Sequence, residues 1–202
     1  MRFTVQQVDG RHVLLAEGRI DRDMVPRLDQ AIHGFQGDEI WLRSPGGDAR
    51  AGNMAGRLIR ERNLTTRVPA GWACSSACAY MFMGGINRIV APGGLLIVQM
   101  FTHGLDRHAI EEELARRGGN ADRLLDDIAQ DSRMIATEDM DYLIRMGISR
   151  ALLGDIIYQT RAFDADGRPA PARCLTAEEM RRYGVANTAA PSHWSPTVRQ
   201  PK

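Results

Sequence analysis

Gly71-Trp72-Ala73-Cys74-Ser75-Ser76-Ala77-Cys78-Ala79, read with the upstream turn Ser44-Pro45-Gly46-Gly47, decides how this chain folds and what it can do. The upstream piece follows a short apolar run, Ile40-Trp41-Leu42, and precedes a helical pattern from Ala49 to Arg62. Two adjacent glycines between strand and helix allow backbone angles that a side chain would forbid, so their N–H groups can approach a substrate closely. The downstream piece puts the Ser76 hydroxyl at the positive end of a helix of small residues, Cys78 to Met83. Either turn alone is common, since serine is a frequent helix cap and Pro-Gly-Gly a frequent bend. Together they describe a nucleophile beside an oxyanion-binding turn.

Working outward, Phe3 to Val8 and His12 to Glu17 read as strands about an Asp9-Gly10 turn. Ile20 to Phe35 is an amphipathic helix with Asp21 as its cap and Gly34 near its end. Glu39 to Arg43 is a buried strand. Ala49 to Arg62 turns Met54, Leu58 and Ile59 inward. Leu64 to Pro69, Arg88 to Ala91 and Leu95 to Phe101 are further strands. The alternation predicts an α/β fold with parallel pairing, its turns at the carboxyl ends of strands, where such folds place their sites. The second half is helical. Arg107 to Arg117 and Ala121 to Met146 are charged amphipathic helices around Gly118-Gly119. Ser149 caps a helix over Arg150 to Thr160, Arg161 to Arg173 is a loop, and Thr176 with Glu179 forms a capping box for a last helix ending at Gly184. We expect one domain over 1–188 and a disordered tail over 189–202, where Pro191, Pro196 and Pro201 fall.

The chain has 202 residues, with 26 Lys and Arg against 25 Asp and Glu, a net charge of +1. That balance gives no electrostatic case for nucleic acid or an anionic membrane. Lys202 is the only lysine, which reads as the codon bias of a GC-rich bacterial genome. No apolar run approaches the ~20 residues of a membrane span. Met1 to Gly10 has no signal pattern, so the expectation is cytoplasmic, or periplasmic if a signal peptide has been removed. Cys74, Cys78 and Cys174 are an odd number. Cys74 and Cys78 could approach across one helical turn, but small buried thiols are the simpler expectation. No second Cys/His pair stands at ligand spacing, so no metal or other cofactor is expected. Glu111-Glu112-Glu113 reads as a solvated helix face, Met81, Met83 and Met100 as core, and Trp72 as either a pocket wall or packing.

Leu42-Arg43-Ser44-Pro45-Gly46-Gly47, Cys74-Ser75-Ser76-Ala77-Cys78, Arg88-Ile89-Val90-Ala91-Pro92 and Leu175-Thr176-Ala177-Glu178-Glu179 through Tyr183-Gly184 resemble the proteolytic subunit of Clp protease. The likeness is stronger to bacterial Clp-protease-like proteins that share the Cys-x-Ser-Ala-Cys motif. It spans about residues 13–188. It implies the crotonase-like fold of repeated β-β-α units. It also implies Ser76 as nucleophile and an oxyanion hole at the Gly46-Gly47 turn and Ala77, with Gly47 and Ala77 supplying the N–H groups. The reaction would be attack on a peptide or acyl carbonyl, then hydrolysis of an acyl-enzyme. Such subunits assemble into rings or trimers, so a homo-oligomer is expected through the region Arg107 to Met146. A separate ATPase is compatible with the family, and the chain has no phosphate-binding Gly-x-x-x-x-Gly-Lys-Ser/Thr motif of its own.

The sequence departs from the family at the proton-handling positions. Counted from Pro92, the general-base histidine falls on Gln99, whose amide neither takes nor gives a proton near neutral pH. Met100 departs alongside it, so the change reads as natural. His103, and more distantly His108, are the alternatives. The third member should lie just before Leu175, where Pro171-Ala172-Arg173 has no carboxylate; Asp164 and Asp166 are the nearest acids. Three readings follow. One is a Clp-protease-like serine hydrolase. Another is a catalytically silent homologue that binds peptides or assembles. The third is a non-covalent crotonase-type enzyme acting on an activated carbonyl.

Overall fold

The computed structural model describes residues 1–99, 107–157, 159 and 172–189. The expected tail beyond Ala189, Met100 to Asp106 and the acids Asp164 and Asp166 lie outside the described residues.

Strands β1 (Arg2–Val8) and β2 (Arg11–Glu17) form the expected hairpin, with Val8 opposite Arg11. Asp9 and Gly10 both take positive φ, 48° and 77°, the geometry that a two-residue turn needs to match strand twist. Helix α1 (Met24–His33) follows, then β3 (Glu39–Arg43), α2 (Ala49–Glu61) and β4 (Thr65–Val68). A three-residue strand β5 (Ala73–Ser75) leads into α3 (Ala77–Met83), and β6 (Arg88–Val90) and β7 (Leu95–Val98) come next. Helices α4 (Arg107–Arg116) and α5 (Ala121–Arg145), a π-helical turn at Leu153–Ile157, β8 (Arg173–Cys174) and α6 (Ala177–Arg182) complete the described chain.

Two sheets result. The larger has the order β1-β2-β3-β4-β6 and is parallel from β2 onward. The smaller has the order β5-β7-β8, with β8 antiparallel. A bridge between Ser44 and Cys74 joins them where the two diagnostic turns meet. The α/β architecture read from the sequence is the one observed.

Buried apolar strands explain the core. Val13 to Ala16 of β2 and Ile40 to Leu42 of β3 are buried on both faces, as parallel strands covered by helices require. Trp41 is fully buried; its Nε1–H donates to Glu39, which also pairs with the buried Arg67 of β4. Trp72 is packing rather than pocket wall: it sits edge-on to Trp41, under the Arg43 guanidinium. Helix α2 buries Ala51, Gly52, Ala55, Gly56 and Ile59, not the expected Met54, which is exposed. The reason is the closeness of α3 and α5. A Cβ on Gly52 would come within 2.5 Å of the Ala77 carbonyl oxygen, and one on Gly56 within 1.9 Å of the Tyr142 hydroxyl. A stripe of small residues packs there, and the larger Met54 is left outside.

Elsewhere the structure differs from the sequence pattern at α1 and at two short strands. Helix α1 begins at Met24 because Ile20 is held as a bridge partner of Gly47, and Asp21 pairs with Arg27 instead of capping. Strands β5 and β8 were not expected, being too short to show alternation. The Thr176–Glu179 capping box of α6 forms as read, and Glu113 pairs with Arg116 and Arg117 on the exposed face of α4. No described helix is long and apolar enough to cross a membrane.

Candidate active site

Ser76 lies between β5 and α3 with φ 55° and ψ −121°. A non-glycine residue rarely adopts this conformation, and holding it costs about 1–3 kcal/mol. The neighbouring backbone enforces it. Ser75 N–H donates to Ser44 O at 2.9 Å, Ser76 N–H donates to Ile97 O at 2.9 Å, and Ala79 N–H donates to Ser76 O at 2.8 Å. The chain therefore turns sharply, from strand pairing with β7 into a helix, within one residue.

The glycine turn lies directly against it. A Cβ on Gly46 would stand 2.8 Å from Ser76 Cβ and 3.3 Å from Ser76 Oγ, so only glycine allows the approach. Gly46 has φ 96°, and its N–H is already engaged with Ser44 Oγ at 3.0 Å. Gly47 has φ 147°, and a Cβ there would meet Ile20 O at 2.0 Å. In that bridge Ile20 N–H donates to Gly46 O and Asp48 N–H to Ile20 O, which leaves the Gly47 N–H directed away from Ile20. Ala77 opens α3, and first-turn N–H groups have no intrahelical acceptor.

Gln99 follows β7 and reaches the serine: its Nε2 donates to Ser76 Oγ at 3.3 Å. In this contact the amide presents a proton to the hydroxyl instead of accepting one. Continuing the β7–β8 register (Ile97 with Cys174, Val98 with Arg173) sets Ala172 opposite Gln99, without a carboxylate. The structure brings Ser76, Gln99, Gly46 and Ala77 together around one turn. His103 and the His108 side chain lie outside the described residues.

Sequence reading missed two features. The first is a disulfide between Cys74 and Cys78, Cα atoms 5.2 Å apart, in place of the two buried thiols expected. The pair spans the Ser76 elbow rather than one turn of a continuous helix, and i, i+4 spacing alone does not reveal that. The second is a cavity of about 570 Å³ that begins one residue after Gly47, between the start of α2 and α5, lined by Asp48, Arg50, Met54, Asp131, Ile135 and Asp139 among others. Asp139 is buried, and its carboxylate accepts from Tyr80 Oη at 2.7 Å. Desolvation pushes its pKa up to about 6, with the Tyr80 hydrogen bond opposing and the charge of Glu138 adding. Tyr80 lies on α3, and its carbonyl oxygen accepts from Tyr142 Oη at 2.6 Å, so α5 holds the helix that carries Ser76. Among the described residues, no group of His, Cys, Asp and Glu could hold a metal ion.

The arrangement of sheets and helices defines the class: the chain has a ClpP-like fold. ClpP1 from Listeria monocytogenes matches with a TM-score of 0.57 at 16% identity, over 88% of this chain and 90% of that one. A mutant of the membrane-bound stomatin-specific protease 1510-N matches with a TM-score of 0.53 at 17% identity, over 87% of this chain and 77% of that one. Another 1510-N mutant, in complex with a substrate peptide, matches at 0.54 and 20% identity, over 87% and 73%. At such identities the likeness is one of fold. No family model and no curated protein sequence matches the chain.

Proposed function

We propose that the protein is a Clp-protease-like serine hydrolase of peptide or acyl substrates, with Ser76 as nucleophile and the N–H groups of Gly47 and Ala77 as the oxyanion hole. The observation that carries this reading is the conformation of Ser76, φ 55° and ψ −121°, held against Gly46. Strain of this kind persists only where the surroundings over-determine it, and it concentrates at reactive positions. In the proposed reaction Ser76 Oγ attacks the carbonyl, the oxyanion is met by fixed backbone donors, and water later releases the acyl group. Gln99 orients the hydroxyl or a water. The proton goes to another group, for which His103 is our choice. The test is a chromogenic ester: a burst of about one product per active site should appear with the native protein, vanish in Ser76→Ala and slow in His103→Ala. Linear turnover unaffected by Ser76→Ala would refute the reading.

One observation favours a second reading. Gln99 donates to Ser76 Oγ, which does nothing to deprotonate it. A silent homologue would bind peptides in the same groove without turnover, and Ser76→Ala would bind them equally well. On partners, Leu125, Met134, Met140 and Ile144 are large apolar side chains exposed along α5, which supports assembly into a homo-oligomer. On location, disulfides persist in oxidising compartments, which favours the periplasmic alternative over the cytoplasm.

A further inference from the structure

The disulfide is placed on the elbow that carries the proposed nucleophile. Cys74 is the middle residue of β5 and Cys78 the second residue of α3; only Ser75, Ser76 and Ala77 lie between them. Both cysteines are fully buried. On the strand side, Cys74 is bridged to Ser44, the residue whose Oγ holds the Gly46 N–H. On the helix side, Cys78 lies in the seven-residue α3, which is too short to be rigid in isolation. A strained Ser76 could relax if the first turn of α3, ahead of the Tyr80 carbonyl that Tyr142 holds, opened away from the end of β5. The Sγ–Sγ bond closes that route, because it fixes the strand end to the first helical turn across the strained residue.

We propose that the Cys74–Cys78 disulfide is a positioning device for Ser76: it holds the hydroxyl against the glycine turn when formed and releases it when opened. This rests on the hydrolase reading for its consequence, though not for its geometry. Opening needs a dithiol reductant. One reductant thiolate attacks one Sγ, the Sγ–Sγ bond breaks, and the second reductant thiol displaces the mixed disulfide. Two electrons and two protons end on Cys74 and Cys78, and the reductant leaves as its own disulfide. Because both sulfurs are buried, reduction waits on local opening and is slow in the folded protein. The exposed Cys174 is the remaining cysteine and serves as an internal control for thiol labelling.

The experiment compares native protein, protein reduced with dithiothreitol, and the Cys74→Ala/Cys78→Ala variant, all well below their melting temperatures. Thiol alkylation and peptide mapping establish the bond. Hydrogen exchange of the peptide covering 73–83 reads the elbow directly. Fluorophosphonate labelling of Ser76 reads reactivity. We expect a cross-linked peptide in the native protein, exchange at 75–79 faster by roughly tenfold or more once the bond is lost, β3 unchanged, and labelling slower by a similar factor. A purely structural bond would lower the melting temperature while leaving local exchange and the labelling rate as they were, which would overturn the proposal. So would two alkylatable thiols at Cys74 and Cys78 in protein purified without reductant. If exchange at the elbow accelerates but neither form is labelled, the positioning role stands and the hydrolase reading fails. If both forms label equally with unchanged exchange, the reverse holds.

Discussion

Around Ser76, the half of the site that would hold nucleophile and oxyanion is fixed almost entirely by backbone. Among the described residues, the half that would move protons holds one amide side chain. On the first side stand the strained serine, two glycines at positive φ, three backbone hydrogen bonds about Ser75, Ser76 and Ala79, and a disulfide across the turn. On the second stand Gln99, 3.3 Å from the hydroxyl, and Ala172 across the register from it. The difference is physical: backbone geometry about Ser76 is over-determined by several independent contacts, whereas the Gln99 contact is one side-chain hydrogen bond.

The strongest way to break the first half is Gly47→Ala. Its Cβ would stand 2.0 Å from Ile20 O, a backbone atom that cannot step aside. We expect a loss of about 3 kcal/mol in urea unfolding. Gln99→His sharpens the second half: a ring nitrogen in place of the amide should raise fluorophosphonate labelling of Ser76 about 10²-fold at pH 8, with a pH profile turning near 6–7. Unchanged labelling would mean that a proton acceptor at position 99 is not what limits the reactivity of Ser76.

Asp139 tests how firmly α5 supports the serine helix. Its folded pKa, about 6, lies above the ordinary value of 3.8, so the fold disfavours its charge. The folded state binds the proton more tightly, and this group therefore adds stability as pH falls from above 6 toward 4 and subtracts it as pH rises. Asp139→Asn should flatten that slope and raise stability at pH 7 by about 1–3 kcal/mol, read as a change in the urea midpoint at pH 5 and pH 7. The smallest effect is expected for Ser76→Gly. Glycine accepts φ 55° and ψ −121° without strain, so the variant should gain about 1 kcal/mol while losing all labelling.

The sequence shows the strands and long helices clearly because their patterns are local. Ile40-Trp41-Leu42 is apolar throughout, Asp9-Gly10 is a turn by residue type, and Thr176 with Glu179 is a cap by spacing. The Gly46-Gly47 turn and Ser76 are legible for the same reason. What the sequence hides depends on neighbours distant in the chain. Met54 faces outward because Tyr142 and Ala77 leave room only for glycine and alanine on the other side of α2. Gly46 and Gly47 look equivalent in sequence, yet the Ser44 hydroxyl occupies the N–H of the first. Cys74 and Cys78 become partners only because β5 ends and α3 begins between them.

The most direct test of the account is to incubate the native protein with a fluorophosphonate at pH 8 and map the adduct by intact mass and peptide sequencing. One adduct per chain is expected, on Ser76, and none in Ser76→Ala. Folded, disulfide-intact protein that takes no adduct, or takes one elsewhere, would contradict it.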